Sequence, residues 1–200
     1  MHYTGVDPAT GSFSFQDVDR DGNISIPNDQ LPLKSIRQDY YGGIQNTVTY
    51  GNWALDVLFQ FVKQTGKGWL TGGLFVPAGM MGNQPAFIMN RWQKPGDNTN
   101  IQRFTQDYGS AAYQGYVNTV YNGGDNLVEN ASYVRLKNVY LSYNLPAKWL
   151  EKMHFQTVKL YLQGQNVLLF TKFSGSDPEN YGSGRIPPLR VISAGIQLTL

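Results

Sequence analysis

The sequence predicts an all-β fold, an antiparallel meander of long strands, and three observations carry that expectation. Apolar and polar residues alternate with a period of two over several stretches of ten or more residues, which places them on opposite faces of a strand rather than on one stripe of a helix. The links between those stretches are alternately short and long. Charged residues make up only 15% against roughly 25% in an average soluble domain, while aromatics reach 14%. Hydrophobic residues are nonetheless only 41% and the mean hydropathy is -0.36, so apolar and polar side chains must be interleaved.

The first 37 residues are irregular, and the first strand runs from Tyr40 to Tyr50. Gly51-Asn52 then joins it to a second strand, Trp53 to Val62, as a two-residue hairpin turn that needs positive φ. In the second arm Trp53, Leu55, Val57, Phe59 and Phe61 share one wholly apolar face; in the first, Ile44, Val48 and Tyr50 share a face with Asn46, opposite Gln45, Thr47 and Thr49. Arms of ten or eleven residues suit a tilted membrane-spanning strand of about 9–11 residues better than the about 5–6 of a soluble one.

A long link from about Lys63 to Ala131 follows, rich in Gly, Asn, Pro and aromatics. Three more alternating stretches run from Ser132 to Leu145, from Phe155 to Val167 and from Arg190 to Leu200. A short link of one or two helical turns, Pro146 to Met153, separates the first two; a long one, about Leu168 to Leu189, precedes the last. Links this long count against a compact soluble domain, whereas short turns alternating with long loops are the habit of an outer-membrane barrel, turns inside and loops outside. Five strands cannot close such a barrel, since single-chain bacterial barrels start at eight, so the chain is expected to be a portion of one or to hold further strands in its long links.

Several function classes drop out. A net charge of +2 spread over both signs provides no basic stripe for nucleic acid. No apolar run reaches the 18 or so residues of a membrane-spanning helix. Zero Cys removes disulfide, thiolate-metal and thiol-nucleophile chemistry together. His2 and His154 are far apart, and neither a Gly-x-Ser-x-Gly elbow nor a phosphate-cradling glycine loop is present, so no enzyme is expected. Met1-His2-Tyr3-Thr4 carries no export signal, which an exported protein would hold upstream.

A series of short motifs, in order along nearly the whole chain, resembles the SusC/RagA-type TonB-linked outer-membrane transporters. They are Gly5-Val6-Asp7-Pro8-Ala9-Thr10-Gly11, the acidic loop from Asp17 to Asp29, Tyr40-Tyr41-Gly42-Gly43, and Arg91-Trp92 with Pro95-Gly96. Further on come Tyr133-Val134-Arg135-Leu136-Lys137-Asn138-Val139, Tyr143-Asn144-Leu145-Pro146, Leu160 to Asn166, and Ser174-Gly175-Ser176-Asp177-Pro178-Glu179. The resemblance implies a C-terminal portion of a transmembrane β-barrel with long extracellular loops, in which residues 1–37 are an extracellular loop and residues 40–200 barrel strands and loops. It also implies a TonB contact and a plug outside this chain, a SusD-like surface lipoprotein as lid, and import of glycans or, in some members, peptides. The competing expectation is a secreted, calcium-stabilised β-sandwich that binds glycans, in which Trp53 to Phe61 face a second sheet instead of lipid.

Asp17, Asp19 and Asp21, with Gly22, Asn23 and Ser25, repeat the start of a calcium-binding EF-hand loop, which offers hard oxygens at alternate positions. Position 12 departs from that pattern: Asn28 stands there and Asp29 comes one step late, so a merely acidic, solvent-facing turn competes with a Ca2+ site. The terminal run, with Ser193, Gly195, Leu198 and Leu200 at its key positions, resembles the signal read by the barrel-assembly machinery, and an ordinary amphipathic last strand is its plainer reading. Tyr50, Trp53, Tyr143 and Trp149 sit beside the short turns, where amphipathic rings favour the boundary between outer-membrane lipid and water. Loop aromatics such as Trp69, Phe75, Phe87, Trp92, Phe104, Tyr108, Tyr113 and Tyr116 could stack on sugars, but loop packing is expected of them, and no substrate-binding residue is assigned.

Overall fold

The computed structural model describes residues 1–68, 77–153, 155–180 and 185–199. Leu200, Trp69, Phe75 and His154 lie outside the described residues. Eight strands run in chain order: β1 (Tyr3–Val6), β2 (Phe13–Phe15), β3 (Gln38–Tyr50), β4 (Trp53–Lys67), β5 (Val128–Asn130), β6 (Tyr133–Asn144), β7 (Thr157–Thr171) and β8 (Val191–Thr199). Two α-helices join them, α1 (Ala111–Val120) and α2 (Ala147–Met153). The five long alternating stretches are thus all strands, two or more residues longer than the alternation predicts in β3, β4 and β7.

β3, β4, β6, β7 and β8 form one antiparallel sheet in that order, with β5 pairing the far end of β4. At the β3–β4 turn Gly51 takes φ +56°, the positive dihedral that a two-residue hairpin needs at its first central position. The short link after β6 is α2, and the long links leave from the opposite end of the sheet. A bulge opposite Leu58 and Phe59 of β4 sets Lys137 out of the β6 ladder. Such a bulge bends and twists the strand, as curvature of a barrel wall requires.

The long links are more ordered than the sequence suggests. β1 and β2 pair as a small hairpin, and α1 packs against β2 so closely that a Cβ on Gly115 would lie 3.1 Å from Phe13. Ala78, Ile88 and Tyr116 form a small core there, packed by Phe87, Ile101, Val117 and Val120. Ser110 caps α1 by accepting the Tyr113 N–H at 3.2 Å. Burial pushes the Tyr116 hydroxyl up to about 12. Of the loop aromatics, Phe87 and Tyr116 belong to this core, and Arg91 lies 3.7 Å over the Phe104 ring. Phe87 and Tyr116 thus pack within the loops, whereas Tyr108 stays exposed beside Tyr113.

Candidate functional site

The register of the sheet sorts its paired residues onto two faces. On the first, Tyr50, Trp53, Tyr143, Leu160 and Ile196 form one row across the strands, and Val48, Leu55, Leu141, Leu162 and Ala194 the next. Ile44, Phe59, Leu136 and Leu168 continue the face beyond the bulge, then Gly42, Phe61, Val134 and Phe170. The second face carries Thr47, Asp56, Tyr140, Gln163 and Ser193 in one row and Gln45, Leu58, Asn138, Gln165 and Val191 in the next. There Asp56 accepts from Thr47 at 2.5 Å and from Gln45 at 3.0 Å, a polar cluster across the hairpin.

No second layer covers the apolar face among the described residues: Trp53 is 49% and Leu55 37% exposed, and Ile44, Val48, Leu162, Phe170 and Ile196 are exposed as well. A water-soluble sheet with this face bare would expose an apolar patch far larger than the few hundred Å² usual for a monomer. The sandwich expectation needs a sheet over Trp53 to Phe61, and the described chain has none there.

All four expected interface aromatics lie at the short-turn end. Tyr50 and Trp53 flank the hairpin turn, and the Trp53 and Tyr143 rings meet at 4.6 Å. Trp149 stands exposed on α2. β8 is an edge strand paired with β7, its Ser193 and Gly195 on the polar face opposite Gln163 and Tyr161, and Leu198 on the apolar face opposite Val158. A Cβ on Gly195 would fall 2.4 Å from the Tyr161 ring, which stacks on Tyr140 at 5.7 Å. The glycine is thus the seat of an aromatic from the neighbouring strand, a device that pins register.

At the loop end the structure joins motifs that are far apart in sequence. Trp92 lies across Gly11, whose φ is +73°, and a Cβ there would sit 2.4 Å from the indole ring. The Trp92 Nε1 and the Gly96 N–H both donate to the Pro8 carbonyl, at 3.1 and 3.0 Å. The segments Gly5–Gly11 and Arg91–Gly96 are one docked unit. Gly11→Ala is expected to cost about 1–3 kcal/mol, from overpacking against Trp92 added to a left-handed backbone. Gly22→Ala, where φ is +85° and no atom lies within 4 Å, carries the backbone cost alone. Denaturant unfolding of the two variants checks the ranking, and equal losses would remove the Trp92 contact as the cause.

A second junction was not legible in the sequence. The Arg135 guanidinium on β6 donates to both oxygens of Asp177 at 2.7 Å, and both side chains are buried, 3% and 5% exposed. Glu179 lies 3.4 Å from Arg135 Nε and binds the Lys137 ammonium at 2.9 Å. Gln64, also buried, donates to the carbonyls of Ala131 at 3.2 Å and Pro178 at 2.6 Å, and accepts from Gln38 at 3.2 Å. The loop after β7 is thereby folded back onto β4 and β6. A lone Arg in a strand next to two carboxylates in a distant loop is the only trace of this in the sequence.

In the acidic loop the carboxylates of Asp17, Asp19 and Asp21 lie within 4.8 Å of one another. Asp17 accepts from the N–H groups of Arg20 and Gly22, Asp21 from that of Asn23, and Asn28 donates its side-chain amide to Asp19 at 2.7 Å. Asp29 is fully buried and occupied elsewhere: it accepts from the backbone of Val18 at 2.6 Å and of Ser25 at 2.7 Å, closing the loop across its neck. The Ser25 and Val18 N–H groups hold its carboxyl below the usual carboxylate range. That closure is at full strength above an ordinary carboxylate pKa of about 3.9 and fades as pH falls through the lower folded value. Three clustered carboxylates, with the Asn23 carbonyl and the Ser25 hydroxyl alongside in sequence, are a donor set suited to a hard cation, whereas Asp29 serves the loop.

No family model matches the chain. It is similar to two TonB-dependent receptors of Formosa agariphila: P3, 33% identical over 88% of the chain and 16% of the relative, and P26, 30% identical over 94% and 20%. The chain thus spans about a fifth or less of the length of these relatives. Among solved structures it resembles the RagAB peptide importer in its open-open state, with TM-score 0.73 and 25% identity over 100% of this chain and 22% of that one. The closed-closed state of the same importer gives TM-score 0.71 over 98% of this chain. A bare apolar face backed by a polar one and these similarities agree: over nearly its whole length the chain is similar to SusC/RagA-type TonB-dependent receptors of the bacterial outer membrane, and its sheet matches part of their β-barrel.

Proposed function

We propose that this chain is the C-terminal part of a TonB-dependent importer that carries a bulky nutrient, a glycan or a peptide, across the outer membrane. The observation that carries the reading is the two-sided sheet, whose apolar face suits lipid and whose polar face suits a wet lumen. The loops anchored by Arg135 and by Trp92 form the outer rim, beneath a SusD-like surface lipoprotein as lid, for which the likeness to RagAB is the support. Energy comes from the TonB complex through a plug outside these residues. The run that holds Ser193, Gly195, Leu198 and Leu200 is the segment that the barrel-assembly machinery reads. Deleting the gene for the full-length receptor and scoring growth on single glycans and on oligopeptides as sole carbon source tests the reading. Loss on one nutrient class names the cargo; unchanged growth on both overturns the importer.

Calcium at Asp17, Asp19 and Asp21 belongs to the same proposal, as an ion that stiffens the outer loop. Calcium titrated into the chelator-treated full-length receptor is expected to release heat that Asp19→Asn with Asp21→Asn abolishes. No heat at millimolar calcium would remove the site.

A further inference from the structure

The apolar face ends, at its loop side, in two lysines. Lys63 is the Cα partner of Tyr40 and stands two residues past Phe61 on the same face of β4. Lys172 stands two residues past Phe170, directly after β7. Because Val62, Tyr133 and Thr171 are aligned, the next positions outward are Lys63, Ser132 and Lys172. Two strand spacings, about 10 Å, separate the lysines. Both are exposed, and neither pairs with a carboxylate among the described residues. A groove of about 430 Å³ opens here, lined by Tyr40, Phe61, Lys63, Val134, Phe170 and Lys172 among others.

Resting on the barrel reading above, we propose that this groove seats one phosphorylated lipid of the outer leaflet. The acyl chain lies over Phe61, Val134 and Phe170, and the phosphate lies between the ammonium groups of Lys63 and Lys172. Charge complementarity selects this occupant. An apolar floor capped by two unpaired cations matches a molecule with hydrocarbon at one end and an anion at the other. A neutral lipid leaves the lysines unmatched, and a soluble anion leaves the aromatic floor bare. Lysines that merely reach toward water from a membrane edge need no anion between them.

The probe is phosphorylated lipid A, titrated into the detergent-solubilised full-length receptor and followed by native mass spectrometry, with enzymatically dephosphorylated lipid A and inorganic phosphate as comparators. Lys63→Gln with Lys172→Gln is expected to weaken phosphorylated lipid A roughly tenfold or more, while Lys148→Gln, at the opposite rim, leaves it unchanged. Dephosphorylated lipid A should bind the wild type as weakly as the double variant binds the phosphorylated form. Equal binding to wild type and double variant overturns the site, as does displacement of the lipid by inorganic phosphate at millimolar concentration, which would mark a soluble-anion site. Outer-membrane fractionation and heat-modifiable migration of the same proteins report on the barrel separately, so a failed groove and a failed barrel are told apart.

Discussion

Arg135→Ala is expected to destabilise the full-length receptor by about 3–5 kcal/mol, because it strands the buried Asp177 carboxylate without its partner. Asp177→Ala strands the guanidinium and should cost as much. Lys137→Ala removes the neighbouring pair with Glu179, but both of those side chains are about 30% exposed, and water screens them. That loss is expected to be about 0–1 kcal/mol. Replacing Arg135 and Asp177 together with Leu should recover most of the single-variant loss, since an apolar pair needs no desolvation of charge. Unfolding in urea, with limited proteolysis of residues 172–180 as a local probe, measures all four. If Arg135→Ala costs no more than Lys137→Ala, the ion pair is not what holds this loop to the sheet.

The second large effect distinguishes the two faces. Val57 lies in the middle row of the apolar face, paired with Asn46 and Val139, and Gln163 lies on the polar face between Tyr140 and Ser193. Val57→Arg is expected to cost about 2–4 kcal/mol, the penalty for a cation on a lipid-facing strand near the bilayer midplane. Gln163→Arg, facing the lumen, should stay within about 0.5 kcal/mol. Folding yield into lipid vesicles and unfolding in urea give both values. Comparable losses at the two positions would mean that the apolar face does not meet hydrocarbon.

The barrel wall was legible in the residues because a strand's side chains alternate with a fixed period, so each long strand declares its two faces without reference to its neighbours. Trp53, Leu55, Val57, Phe59 and Phe61 are on one face for that reason alone. Gly51-Asn52 announced its turn because few residues accept positive φ. The pieces that escaped are short or weakly patterned. β1, β2 and β5 have three or four residues, too few to show a period. α1 carries Gly115, Asn118 and Thr119, poor helix formers, and is held by its contacts with β2 and by the core around Tyr116 rather than by propensity.

The site residues divide along the same line. The acidic loop is local: Asp17, Asp19 and Asp21 cluster because three alternate residues in one turn cannot be far apart, and the sequence alone was enough to bring them together. The job of Asp29 was not local in that sense, since it depends on how the chain crosses itself at Val18 and Ser25. Arg135 with Asp177, Gln64 with Pro178 and Trp92 with Gly11 span 42, 114 and about 80 residues, and pairing at that range follows from the stacking of strands and loops in space. Periodicity is written in neighbouring residues and needs no fold to be read; contact between distant segments exists only after the backbone has closed the distance, which is why the wall came from the chain's pattern and the anchoring of its loops from its three-dimensional course.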